Sequence, residues 1–285
     1  MNKRVLLCLL VVLLAGINVA AQQASMQPLT FYYGYTVNPG KEEQFLDIVK
    51  TVGAPVRDKL MADGVIMAWG VQVPLLRMPG GHTHFIWYAV ADWSGVEKVT
   101  ASMQAQITKL NEEAAKAGAT KKGAAGGQTV AGRITEATDY SKTHDFLTRD
   151  LDFAATPTPP SAGLLPFTRF NFVKAKPGKG NELRKAWEKY NKPVMDKLLA
   201  DGVILAYGLA VEEVRTEGDF THFVWYDVKE MSAFDKVRNA FLADRDHRSQ
   251  EEQNAINDLF TSLVDADASR SEVTASIIFK VAPMK

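Results

Sequence analysis

The chain carries the same pattern twice, and any fold it adopts has to accommodate two copies of one unit. Displacing the sequence on itself by 138 positions superposes Pro39-Gly40-Lys41 on Pro177-Gly178-Lys179, Asp58-Lys59-Leu60 on Asp196-Lys197-Leu198, and Ala62-Asp63-Gly64-Val65-Ile66 on Ala200-Asp201-Gly202-Val203-Ile204. It also brings Thr83-His84-Phe85 onto Thr221-His222-Phe223 and Trp87-Tyr88 onto Trp225-Tyr226. From Pro39 to Val99, 27 of 61 positions are identical without a gap. That is far above chance, so a duplicated domain is expected. Farther along the best register drops to 128, pairing Asp139 with Asp267 and Ser141 with Ser269. The first copy therefore holds ten additional residues, which the Ala/Gly/Lys-rich stretch from Ala114 to Gly132 accommodates. The Pro-rich run at 154–164 reads as a semi-rigid linker, giving a first unit at 29–153 and a second at 165–283.

Within each unit the periodicities change in a fixed order. Phe31 to Val37 and Phe167 to Val173 are aromatic and β-branched runs that lead into a Pro-Gly turn, which reads as a strand end. Phe45, Ile48, Val49 and Val52 then fall at helical spacing, as do Leu183, Ala186, Trp187 and Tyr190, until Asp-Gly stops the pattern. Val65 to Val73 and Val203 to Val211 read as second strands, and Thr83 to Val90 and Thr221 to Val228 as third strands. Helices follow from about Gly95 to Ala117 and from Ser232 to Leu263, the second broken in its middle. Last strands are expected near Phe146 to Phe153 and Val273 to Val281. The order β-α-β-β-α-β is the ferredoxin-like plan, and the fold class is α+β.

Thirty-three basic residues balance 33 acidic ones in 285, which supplies no basic field for nucleic acid or anionic lipid. The N-terminus reads as an address: Lys3 and Arg4 precede an apolar run from Val5 to Ala15, and Val19-Ala20-Ala21 offers a cleavage site. Removing residues 1–21 leaves 31 basic against 33 acidic residues and takes away Cys8, the single cysteine. The expected mature protein is periplasmic or secreted, has no thiol chemistry and makes no membrane contact.

A strand, Pro-Gly-Lys, an amphipathic helix, an Asp-Gly turn and a His-Phe-x-Trp-Tyr strand together resemble the dimeric α/β-barrel superfamily. That group includes antibiotic-biosynthesis monooxygenases, the EthD and NIPSNAP groups and haem proteins of the chlorite-dismutase type. The resemblance covers nearly all of residues 29 to 283. It implies two ferredoxin-like units whose sheets pair into one barrel, here within a single polypeptide, as a monomer with an internal pseudo-dimer.

Strand residues alternate faces, so the strands can be read for a pocket. Arg169 and Asn171 are costly against helices without partners, whereas Phe170 and Phe172 suit them. The odd positions of that strand are therefore expected to line the barrel. The same reasoning places Tyr33, Tyr35, Trp69, His84, Tyr88, Tyr207, His222 and Tyr226 in the barrel, an aromatic cavity with few polar handles. His84 and His222 are the candidate catalytic residues, set against a structural role as hydrogen-bonded core histidines. His82 and His84 lie two apart as metal ligands would, but Phe220 replaces His82 in the second copy, so no metal site is expected. No cofactor is expected either, because a haem-site pattern is not recognisable.

Three functions remain open: an exported protein binding a small, partly apolar molecule; a cofactor-independent monooxygenase-like enzyme, as the resemblance implies, with a histidine base; and a structural or interaction protein whose barrel is filled by its own side chains.

Overall fold

The computed structural model describes residues 27–76, 81–120, 128–156, 163–216 and 219–282. The expected signal peptide lies outside the described residues, as does most of the expected linker. Among the described residues no helix is long and apolar enough to cross a membrane.

The elements follow one another as β1 (Leu29–Tyr35), α1 (Glu42–Ile48), a π-helical turn (Val49–Gly53), α2 (Ala54–Ala62), β2 (Ile66–Pro74), β3 (His84–Val90), α3 (Trp93–Thr120), α4 (Val130–Ala137) and β4 (His144–Ala155). The chain continues with β5 (Phe167–Ala175), α5 (Gly180–Tyr190), α6 (Lys192–Ala200), β6 (Ala206–Val214), β7 (His222–Val228), α7 (Ala233–Asp246), α8 (Gln250–Leu263) and β8 (Val264–Val281). The break expected within 232–263 falls between α7 and α8. There Ser249 starts α8 with a capping box: its hydroxyl accepts from the Glu252 N–H while the Glu252 carboxylate accepts from the Ser249 N–H.

All strand pairs are antiparallel, and the eight strands close into a barrel in the order β1-β3-β2-β8-β5-β7-β6-β4. Closure within one polypeptide agrees with the sequence-based expectation. The two seams, β2 with β8 and β4 with β6, carry register shifts at Val71/Gln72, Leu147/Thr148 and Asp150/Asp152. Such bulges sharpen the local twist that a closing sheet needs. Helices α1 to α4 lie against the first sheet, where the Phe45, Ile48, Val49, Val52, Val56 and Leu60 stripe meets Leu29, Trp69, Tyr88 and Val90. On the second sheet, Trp187, Val194, Met195 and Leu198 of α5 and α6 meet Tyr207, Leu209 and Tyr226.

Inside the barrel the space is taken by rings. Tyr32, Phe85, Phe146, Phe170, Phe172, Phe220 and Phe223 form one cluster, with Trp87 and Trp225 against it. Tyr32 stacks on Phe146 at 4.7 Å, and Phe172 lies 4.9 Å from Phe220. Each tryptophan is admitted by a glycine on the neighbouring strand, for a Cβ at Gly70 or Gly208 would come within 2.9 Å and 2.5 Å of the respective indole nitrogen. The void left among Tyr32, Phe85, Phe146, Phe170, Phe172 and Glu272 is about 10 Å³, room for a single water.

Polar groups share this interior. Trp225 Nε1 donates to Asp150 at 2.8 Å, and a chain runs from Gln72 to the Thr168 hydroxyl (2.7 Å) and on to Asp227 (2.6 Å). Burial pushes the carboxyls of Asp150, Asp227 and Glu272 up to about 7. An acid raised in the folded state contributes most stability below its unfolded value and loses it as pH climbs through the folded one. Burial lowers His82 and His222 to about 4, which acts in the opposite direction, but that gain is complete by about pH 6.5. Stability is therefore expected to fall between pH 6.5 and 8, by on the order of 1 kcal/mol per buried carboxyl, and the melting temperature with it. Asp227→Asn should flatten that slope in a pH series of thermal melts.

Candidate functional site between the first sheet and its helices

The helix-facing side of the first sheet gathers an aromatic wall. Phe31 and Tyr33 stack at 4.6 Å, and Tyr88 lies 5.7 Å from Phe31 and 6.2 Å from Tyr33. Phe45, from α1, bridges Tyr35 at 5.2 Å and His84 at 5.0 Å. Trp69 is fully buried and donates its Nε1–H to Asp58 of α2 at 3.0 Å. Asp58 is also held by Lys280 of β8 at 2.7 and 2.8 Å.

Into this wall α2 inserts Arg57, only 4% exposed. Among the described residues no carboxylate forms an ion pair with it, and its Nε has no hydrogen-bond partner. Its guanidinium carbon lies 5.6 Å from the Trp69 ring centroid. Burial lowers the arginine's pKa, against the counteracting influence of Tyr33, Tyr35, Tyr88 and Asp58, and a guanidinium stays charged regardless. The side chain folds back over the π-helical turn, where a Cβ at Gly53 would collide with its Nη1. Such turns inside helices are frequent at functional sites.

The surrounding phenols remain protonated. Burial raises Tyr33, Tyr35 and Tyr88, and the Tyr33 and Tyr88 hydroxyls act on each other. Tyr88 is sealed, while Tyr33 and Tyr35 keep some exposure and form the open edge. Beside that edge, opposite Tyr33 in the β1–β4 ladder, partial loss of hydration pushes the Asp145 carboxyl up to about 6. One fixed positive charge, several O–H donors and flat apolar walls suit the anionic head of a small, planar molecule.

The expected aromatic barrel cavity is not formed, and the face assignment behind it is inverted. Tyr33, Tyr35, Trp69, His84 and Tyr88 point to the helices of the first sheet, whereas Tyr207 and Tyr226 pack on the helix side of the second. Arg169 and Asn171 share that second outer face. Arg169 Nε donates to Asn171 Oδ1 at 3.2 Å, Ser271 donates to the same oxygen at 2.8 Å, and the guanidinium hydrogen-bonds the Tyr226 phenol. His222 lies beside Gly180 at the start of α5, where a Cβ would come 3.4 Å from its ring. The ten residues thus form two groups on opposite sides of the barrel. The physical reason is width: eight strands leave an interior that Phe and Trp fill, so Phe170 and Phe172 are the inward residues. Water reaches the outer layer, where the partly exposed Arg169 donates to Asn171.

His84 and His222 are each tied through Nδ1 to the preceding threonine, at 3.0 and 2.9 Å. These threonines in turn accept from the Val37 and Ala175 N–H groups. Burial keeps both imidazoles neutral. Of the two, His84 reaches the tyrosine wall, through Phe45.

Arg57 and Asp145 are the site residues that periodicity overlooks. Arg57 lies on the buried stripe of its helix, and a signal was present in the repeat: Pro55-Val56-Arg57-Asp58-Lys59-Leu60 stands against Pro193-Val194-Met195-Asp196-Lys197-Leu198. Met195 is buried to 1% exposure, so the fold packs a thioether where the first copy buries a charge. Arg57→Met should therefore raise stability by about 1–3 kcal/mol by removing an uncompensated buried charge. Met195→Arg should lower it, and chemical denaturation of the two variants checks both.

A scan against protein-family models finds no match, and a search of curated proteins finds none. Similarity to solved structures spans nearly the whole chain. An anthrone oxidase-like protein superposes with a TM-score of 0.51 at 12% identity, covering 92% of this chain and 95% of its own. A candidate monooxygenase from Lactobacillus acidophilus superposes with a TM-score of 0.52 at 8% identity, covering 90% and 97%. At these identities the likeness speaks for architecture alone: this chain shares with both proteins an α+β fold, here a closed barrel of eight antiparallel strands.

Proposed function

We propose that the chain is an exported protein that binds a small, partly apolar anion around Arg57, between the first sheet and helices α1 and α2. The reading takes residues 1–21 as a cleaved signal peptide and the rest as two tandem ferredoxin-like units, 29–153 and 165–283, in a folded monomer. The buried guanidinium is the observation that carries it. A charge with 4% exposure and no carboxylate partner costs stability, and the Met195 position accepts an apolar residue in the same local sequence. A ligand carboxylate or phenolate gives that charge its partner, because a planar fork of N–H donors fits such oxygens. Phe31 and Tyr33, stacked on each other and partly exposed, supply the flat surface for the rest of the molecule.

A monooxygenase-like activity at the same place is the second reading, favoured by the names of the two structural neighbours and by the base candidates at the wall. Asp145, with its carboxyl near 6, and neutral His84 are suited to accept a proton from an activated phenol.

Thermal-shift titration with aromatic carboxylates such as salicylate tests the binding reading. Wild type should gain stability, by about 2.7 kcal/mol at a hundredfold excess over Kd, and Arg57→Met should gain none. Equal stabilisation of both proteins would remove Arg57 from the site. For the enzymatic reading, an oxygen electrode should register uptake with hydroquinone that falls in His84→Gln or Asp145→Asn; unchanged uptake in both rejects these bases.

A further inference from the structure

The mouth of the barrel beside β1 holds an imidazole pair that the Arg57 site does not use. His82 lies just ahead of β3 and His144 opens β4. β1 pairs with both strands and sets Gly34 opposite His144. The two Nε2 atoms are 3.0 Å apart, with ring centroids at 3.9 Å. Phe85, 5.2 Å from His82, and Phe146, 6.2 Å from His144, form the walls. The floor is the Gly34 backbone, where a Cβ would come within 2.8 Å of the His82 ring. His82 Nδ1 is buried without a hydrogen-bond partner.

Packing alone does not call for imidazoles here. At the positions 138 residues beyond Gly34 and His82 stand Phe172 and Phe220, whose rings meet at 4.9 Å. In the 128 register, Glu272 stands for His144. The corresponding end of the second sheet therefore closes with phenyl rings, and three positions differ together where the first sheet carries the histidines.

Two imidazole nitrogens at this separation share a proton when nothing else is present. It is also the span of two cis ligands on one metal ion, since metal–nitrogen bonds of about 2.0–2.1 Å put them about 2.9–3.4 Å apart.

The geometry points to a site for a late first-row divalent metal ion, of the zinc, nickel and copper class, ligated by His82 Nε2 and His144 Nε2 at the barrel mouth. Among the described residues no third His, Cys, Asp or Glu completes a cluster, so water or an exogenous ligand takes the remaining positions. Arg270 lies over Phe172 at 4.5 Å and Phe220 at 5.6 Å, and pairs with Asp219 at 3.5 Å. Its charge weakens cation binding and favours an anion at the open metal positions, which makes this a site of modest affinity.

The test is calorimetric titration of the metal-stripped full chain with nickel or copper chloride, with copper followed also by its visible absorption. One equivalent is expected for wild type. His144→Gln, and His82→Phe with the ring found 138 residues on, should each weaken binding by about a hundredfold or more while melting cooperatively. The exposed His247 serves as control, and His247→Gln should leave the titration unchanged. Absence of binding in wild type, or the same affinity and stoichiometry in both site variants, overturns the assignment.

Discussion

Closure of the barrel is the constraint on which the rest depends. Eight antiparallel strands enclose a space that aromatic side chains fill, leaving about 10 Å³. The tyrosine, phenylalanine and tryptophan layer cements the two sheets across the seams at β2–β8 and β4–β6, and it excludes the barrel centre as a ligand chamber. The proposed site lies instead on the outer face of the first sheet, under its helices. There α1 and α2 hold Arg57 against the aromatic wall, and β4 brings Asp145 to the rim.

The two outer faces have diverged in where they put charge. On the first sheet the guanidinium comes from the helix, at Arg57, and the strand offers Phe31. On the second the helix offers Met195 and the strand carries Arg169. Arg169 is satisfied by Asn171 and Tyr226 near water, whereas Arg57 is buried without a carboxylate ion pair among the described residues. This asymmetry, rather than any shared motif, separates the proposed binding face from its counterpart on the second sheet. The same divergence recurs at the mouth, where His82 and His144 stand against Phe220 and Glu272.

Much of the fold was legible because periodicity and turn chemistry are local. The Pro-Gly turns, the Asp-Gly helix stops and the break within 232–263 fall where the sequence puts them, whereas β8 begins at Val264, ahead of the expected Val273, and α4 was not expected. The inward face was not legible. Phe31, Tyr33 and Tyr35 alternate with Thr30 and Tyr32, and Arg169 and Asn171 with Phe170 and Phe172, so both faces offer aromatic residues. Polarity pointed the wrong way, because an outer layer with open ends tolerates an arginine better than a closed interior of fixed width.

The residues by themselves determined the repeated pattern and the order of most elements, since both rest on spacing along the sequence, while closure of the two sheets into one barrel was what the family resemblance implied. The tertiary structure decided which face is inside and which distant side chains meet. Asp145 stands beside Tyr33 because β4 pairs with β1, and His82 meets His144 across 62 residues for the same reason. Strand registry and barrel width are collective properties of all eight strands, and no local pattern encodes them.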